Sequence, residues 1–381
     1  MTDVAIIGVG LHPFGRFGAK SAIDMGAEAV RAALADAGAT WPEVQFAFGG
    51  SFEVDNPDAV TSRLGLTGIP FMDVYNGCAT AATALQLTSD AIRSGQYEIG
   101  VAVGMDKHAS GAFTSDPVDY AAPPWYGEIG HFLTTKFFAM KINRYMHDHG
   151  ISPETLARVA AKNYRNGVLN PNAFRRKPIS EEEILGSRML NYPLTQYMFC
   201  SPDEGAAAVV LCNADIAHRY TSTPIYLRAS TVRTRRYGAF EVHASWAAVE
   251  QDDAPTVYAS RAAYEMAGIG PDDVDVIQLQ DTDAGAEVIH MAENGFCADG
   301  EQERLLAEGA TEIDGPLPVN TDGGLLANGE PIGASGLRQV HEIVRQLRGE
   351  AGDRQVPGDP RVGYAQLYGA PGTAGVNILT R

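Results

Sequence analysis

The chain has 381 residues, 45% of them hydrophobic and 20% charged, with 41 glycines and a formal charge of −18. That length holds one large or two medium domains with substantial cores. The acidic balance argues against nonspecific nucleic-acid binding, which needs basic surface, and no apolar run is long enough to span a bilayer.

Val4 to Gly10 reads as a buried strand, apolar on both faces like a central strand of a layered α/β fold. A dinucleotide loop is disfavoured at Gly8-Val9-Gly10, because no third glycine opens a following helix. The N-terminus enters this strand without a signal-peptide pattern, and Cys78, Cys200, Cys212 and Cys297 show no paired spacing. A reducing cytoplasm is therefore expected rather than a disulfide framework. Ser21 to Gly38 carries Ala27, Val30, Ala33, Leu34 and Ala37 at helical spacing and a glycine stop. Val44 to Gly49 is the next strand, and Ile69 to Val74 a short one or its approach. Small residues then surround Cys78 before Leu85 to Ile92 resumes helical spacing, which puts Cys78 at a strand-to-helix turn. Unpaired N–H groups and the positive dipole end there are expected to lower the thiol pKa and make a nucleophile. An inert packed cysteine fits the same local pattern. Gly100 to Gly104 is a further buried strand.

From Ser110 to Ser201 the chain is richer in aromatic and charged residues and in proline. Phe137 to His149 and Pro153 to Asn166 read as helices within it. A long excursion at the carboxyl ends of strands is either a solvated loop or a cover over a ligand. Lys141, Arg144, Arg165, Arg175, Arg176 and Lys177 supply positive charge suited to a phosphate-bearing ligand, or a solvated basic face. Asp203 to Leu211 is then a glycine turn into an apolar strand.

The second half echoes the first. Arg31 to Gly38 resembles Arg261 to Gly268, and each is followed by a proline and a strand, Val44 to Phe48 and Val274 to Leu279. The Cys78 segment has its counterpart in Asn320 to Gly336, which runs into a helix ending at Arg348-Gly349. Gly100 to Gly104 parallels Val362 to Gly369. Two such βαβ-rich halves, 1–220 with an insertion at about 110–201 and 221–381, predict an α/β fold: a duplicated αβαβα layered sandwich with an inserted loop domain. Ligand is expected where both halves present turns at helix starts.

Four motifs carry a family resemblance that covers essentially the whole chain: Asn76-Gly77-Cys78-Ala79-Thr80, Asp203-Glu204-Gly205-Ala206-Ala207, Asn320 to Gly324, and Gly329-Glu330-Pro331-Ile332-Gly333-Ala334-Ser335-Gly336. Together they resemble the thiolase superfamily, specifically its sterol-carrier-protein-2 type and the thiolase-like lipid-transfer proteins. The resemblance implies a duplicated layered fold, an acyl-CoA substrate, a homodimer, and no cofactor or metal beyond the coenzyme A of the substrate. Cys78 matches the family's nucleophile. Three departures stand out. Glu330 replaces the histidine of Gly-His-Pro, Gln280-Asp281-Thr282-Asp283 replaces His-Asp-Cys-Phe and so a second histidine and the acid/base cysteine, and the terminal turn that can carry a Cys-x-Gly reads Tyr368-Gly369-Ala370-Pro371-Gly372, also without cysteine.

An anionic Glu330 repels a thiolate and an oxyanion, so ordinary thiolysis is disfavoured. Retro-aldol cleavage of a 3-hydroxyacyl-CoA needs a base and enolate stabilisation, with no covalent cysteine step. Some thiolase-like lipid-transfer proteins are aldolases acting on steroid side-chain thioesters with a small OB-fold partner subunit, and the resemblance extends that expectation here. Tyr368 is the expected acid/base, or else an aromatic packing residue. Glu330 or Asp281 is expected as base or as the group orienting Tyr368, with Asp283 and His290 as further titratable neighbours. Gly336, Ser335, Arg144 and Lys141 are the expected contacts to the CoA moiety. The remaining alternatives are a 3-ketoacyl-CoA thiolase using Cys78 and a non-catalytic acyl-CoA- or lipid-binding subunit.

Overall fold

The computed structural model describes residues 3–114, 116–120, 123–236, 252–370 and 372–381. Pro371, in the expected terminal glycine turn, lies outside them. The first half runs β1 (Val4–Gly15), α1 (Ala22–Ala37), β2 (Phe46–Gly50), α2 (Thr61–Leu64), β3 (Phe71–Asp73), α3 (Thr80–Arg93) and β4 (Ile99–Lys107). The insertion carries α4 (Trp125–Glu128), α5 (Thr134–His149), α6 (Pro153–Val168), α7 (Glu181–Leu185) and the hairpin of β5 (Met189–Asn191) and β6 (Leu194–Thr195), and β7 (Glu204–Asn213) closes the half. The second half runs β8 (Ile225–Thr234), α8 (Pro255–Ala267), β9 (Val276–Gln278), α9 (Ala284–Glu293), α10 (Gln302–Ala307), α11 (Gly324–Asn328), α12 (Ser335–Arg348), β10 (Val362–Gly369) and β11 (Thr373–Thr380).

The main strands form one nine-stranded sheet in the order β3-β2-β4-β7-β1-β8-β11-β10-β9. Its two halves meet at a short seam, where Ala5 pairs with Tyr226 and Ile6 with Ile225. Helices α3 and α12 share the middle layer. There Leu85 and Ile92 pack with Leu337, Val340 and Ile343 between Ile6 and Leu211 of the first half and Leu227 and Leu379 of the second. Helix α1 covers the outer face of the first half and α8 that of the second. The predicted layered α/β sandwich is the observed architecture.

Local chemistry explains how closely the layers pack. Ser21 caps α1 in a box with Asp24, and Gly38 at φ +67° ends it. A Cβ on Gly8 or Gly10 would come within 2.2 Å of the Ala33 or Ala29 carbonyl oxygen, so this glycine pair serves helix-on-strand contact rather than a phosphate loop. Both insertion helices extend beyond their predicted limits. The insertion is not a solvated excursion: Phe138, Leu156, Tyr164 and Phe199 form a core with Val288, Leu325 and Tyr368 of the second half. The polar side of α6 is buried too. Asn163 donates to Asp281 at 2.9 Å and to Glu287 at 2.8 Å, and Lys162 pairs with Glu287. A buried amide or ammonium without such partners costs several kcal/mol, which accounts for the density of this network.

Candidate active site

Cys78 sits in a turn held by its neighbours before α3 begins. Asn76 N–H donates to Thr80 Oγ1 at 2.9 Å, and that hydroxyl donates to the Gly77 carbonyl at 2.6 Å. Gly77 takes φ +56°, and the end of β10 packs directly on the turn. A Cβ at Gly369 would lie 2.5 Å from the Asn76 carbonyl oxygen and 3.0 Å from the Cys78 nitrogen, so only glycine allows this approach. Cys78 is half-buried at the start of the helix. The expected fall in its thiol pKa is reversed: burial raises it, and the nearby Glu330 carboxylate raises it further. The helix dipole is outweighed by a low-dielectric setting with an anion beside the sulfur.

Glu330 is the convergence point of three segments. It follows Gly329, which takes φ +90° at the end of α11, and its N–H donates to the Ser201 carbonyl at 2.9 Å. That pairing brings in the segment before β7, so the Cys200 thiol donates to Glu330 Oε2 at 3.2 Å. From beyond β9, the Gln280 amide donates to Oε1 at 2.9 Å. Gln280 is fixed in turn by Thr282 at 3.0 Å and by a bond between its N–H and Gln366 Oε1 at 3.2 Å. The positions matching the family's two histidines are thus a hydrogen-bonded amide–carboxylate pair. Burial and Glu330 also raise the Cys200 thiol pKa, which keeps it protonated. Asp203, packed under Gly329, is buried with neither carboxylate oxygen hydrogen-bonded among the described residues. Burial raises its pKa well above the usual range, against the pull of Arg16 and Arg175.

The loop after Glu330 is held from β4. His108 Nε2 accepts from Ile332 N–H at 3.1 Å, and Asp106 Oδ2 accepts from Gly333 N–H at 2.5 Å. Burial lowers the His108 pKa, but the carboxylates of Asp106 and Glu53 outweigh it and raise it overall. A cleft of about 420 Å³ opens beside this centre, within the range of small-ligand sites. Phe113, Leu190, Phe199, Arg175 and Arg188 line it, and Cys200 forms part of its wall. All of these belong to the insertion.

The other predicted site residues are placed as follows. Tyr368 is buried at the end of β10, with the Lys141 ammonium 4.6 Å from its ring centroid and the His290 ring 5.9 Å away. Asp281 Oδ1 accepts from Leu325 N–H at 2.6 Å and Oδ2 from Leu326 N–H at 3.2 Å, so its carboxylate caps α11. Burial and Glu287 raise its pKa. Ser335 and Gly336 are buried, and a Cβ on Gly336 would meet Leu367 at 2.1 Å, which makes it a crossing point of α12 with β10. Arg144 is exposed and paired with Asp148, Lys141 pairs with Glu293, and Arg165 pairs with Glu312. The expected basic cluster is therefore divided: Lys141, Arg144 and Arg165 sit in separate ion pairs, whereas Arg175 lines the cleft and Arg176 donates to the Pro171 carbonyl. Sequence reasoning missed Cys200 as a site residue, and the signal was its place just before the Asp203-Glu204-Gly205 turn.

Comparison with known proteins follows this geometry. Residues 4–180 match the thiolase N-terminal domain and residues 243–381 the thiolase C-terminal domain-like family. An acetyl-CoA acetyltransferase of Methanothermobacter thermautotrophicus is 35% identical over 100% of both chains. The chain belongs to the thiolase superfamily. Within that superfamily it is of the sterol-carrier-protein-2 type: rabbit (Oryctolagus cuniculus) sterol carrier protein 2 is 32% identical over 98% of this chain and 71% of its own length. The benzoylsuccinyl-CoA thiolase subunit BbsB of Thauera aromatica is 31% identical over 96% of this chain and 94% of its own. Among solved structures, an Ltp2–ChsH2(DUF35) aldolase superposes with a TM-score of 0.89 at 26% identity, covering 99% of this chain and 98% of that one. In this thiolase-superfamily frame, Cys78 of the first half and Glu330 of the second come together at one centre.

Proposed function

We propose that this protein cleaves the Cα–Cβ bond of a 3-hydroxyacyl-CoA by retro-aldol chemistry. The observation that carries the reading is the Glu330 carboxylate, held as a hydrogen-bond acceptor by Gln280 and Cys200 beside a Cys78 whose thiol pKa is raised. A carboxylate so placed is a base. It takes the proton of the 3-hydroxyl, the C3–O bond becomes a carbonyl as the C2–C3 bond breaks, and the electron pair passes to C2 as the thioester enolate. The same anion works against a thiolate attack by Cys78 and against an oxyanion at that point. The likeness to the Ltp2–ChsH2(DUF35) aldolase supports the reading. It also supports a small partner subunit. A homodimer and a cytoplasmic setting belong to the same proposal. The aromatic wall of the cleft, Phe113 and Phe199, suits a bulky or ring-bearing acyl group such as a steroid side chain. Coenzyme A enters as part of the substrate.

Two observations favour other readings. The 35% identity to an acetyl-CoA acetyltransferase and the retained Cys78 favour a thiolase. The Lys141 ammonium over Tyr368 favours the phenol as the base. A panel of 3-hydroxyacyl-CoA thioesters, with partner subunit and without free CoA, decides the first point: a carbonyl product should appear. Product that needs added CoA and vanishes in Cys78→Ala would establish the thiolase, and binding without turnover a silent subunit. Glu330→Gln should lower cleavage at least about 100-fold, and Tyr368→Phe should cost less. The reverse order would make Tyr368 the base.

A further inference from the structure

The retro-aldol reading leaves one chemical task without a residue: C2 of the enolate must receive a proton. The acid/base cysteine that the family resemblance implies is Thr282 here, and the terminal turn Tyr368-Gly369-Ala370 has no cysteine either. A different cysteine reaches the same centre from another element. Cys200 lies in the segment before β7, forms part of the cleft wall, and donates to Glu330 Oε2 at 3.2 Å. Its backbone is fixed as well, since Cys200 N–H donates to the Thr282 carbonyl at 2.8 Å.

Resting on the retro-aldol reading, the geometry points to Cys200 as the acid that protonates C2, recharged by the proton Glu330 removes from the 3-hydroxyl. The cycle balances without any further reactant. Glu330 gains the hydroxyl proton as the C2–C3 bond breaks. The Cys200 S–H bond then breaks as a C–H bond forms at C2 and the enolate becomes the acyl-CoA product. The resulting thiolate takes the proton from the Glu330 carboxyl along the existing hydrogen bond. Both residues return to their starting state in one turnover, and a thiol kept protonated by burial is suited to the acid role.

The test uses the full-length protein with its partner subunit in D2O and follows deuterium at C2. Wild type should place one deuterium stereospecifically at C2 of the acyl-CoA product, and should exchange the C2 protons of that acyl-CoA supplied alone. Cys200→Ala should lose C2 exchange at least about 100-fold. Cys200→Ser, which keeps a hydrogen bond to Glu330 with a far weaker acid, should show a similar loss. Binding of acyl-CoA by calorimetry and the melting temperature should stay near wild type in at least one of the two. If wild type cleaves and the folded Cys200 variants still label the same face of C2 at an undiminished rate, Cys200 is not the acid and the retro-aldol reading stands. If wild type neither cleaves nor exchanges, the retro-aldol reading falls and the role of Cys200 falls with it.

Discussion

Glu330 puts a carboxylate where the Gly-His-Pro motif of the resembled family has an imidazole, and the first group to register it is the Cys78 thiol. Burial is the larger cause of the raised thiol pKa, with the carboxylate second. Removing the charge while keeping the shape should therefore release part of the shift. In Glu330→Gln, alkylation of Cys78 by iodoacetamide at neutral pH, followed by peptide mass spectrometry, should be faster than in wild type, since a lower thiol pKa raises the thiolate fraction. An unchanged rate would mean that burial alone holds the thiol. At this scale the sequence pointed to Cys78 and Glu330, because each stands inside a dense motif. It did not point to their connection, because Gln280 and Cys200 reach Glu330 across separations of 50 and 130 residues. Nor did it anticipate the direction of the Cys78 shift: the turn-to-helix setting is local and visible, whereas desolvation belongs to the packed interior.

At the scale of single elements, α9 carries two neighbours with opposed titrations. Asp283 caps the helix through Gly285 and Ala286 N–H groups, and burial raises its pKa from 3.8 to about 7. His290, on the same helix and lining the same small pocket, is lowered by burial from 6.5 to about 4. A carboxyl with a raised folded pKa gives stability that is full below its unfolded pKa and is lost as pH climbs toward 7. An imidazole with a lowered folded pKa gives stability that is full above 6.5 and is lost as pH falls toward 4. Across pH 4 to 6.5 the two slopes offset each other. Asp283→Asn keeps a capping oxygen but removes one slope. Relative to wild type, its unfolding free energy in urea should rise with pH through that window by on the order of 1 kcal/mol per unit. Matching pH profiles would show that Asp283 titrates as an ordinary carboxylate. The insertion teaches a related lesson about legibility. Lys162, Asn163 and Asn166 on α6 carry polar side chains, yet all three are buried and pair with groups of the second half. Polar residues that pair across 100 residues or more carry no periodic mark of it.

For the whole molecule, the internal repeat was enough to predict the layered sandwich, since each half has the same strand–helix–strand grammar. The contact between the halves was not visible, because it depends on backbone meeting backbone. Gly104 of β4 is the sharpest instance. A Cβ there would lie 1.8 Å from the Gly333 carbonyl oxygen, three residues beyond Glu330. Gly104→Ala should push that loop away, lowering stability by about 2 kcal/mol or more and cleavage with it. Thermal melts and turnover measured together would check this, and an unperturbed melting temperature would show that the loop can yield freely.

The Gln280–Glu330 hydrogen bond makes each position dictate the proton arrangement of the other. The Gln280 amide donates and the Glu330 carboxylate accepts, both fully buried. A histidine placed at 330 would face a donor and would have to present its unprotonated nitrogen, whereas a histidine placed at 280 would face an acceptor and would have to present its N–H. The tautomer of an imidazole at this centre is therefore written by its neighbour, and the two substitutions would give opposite ones.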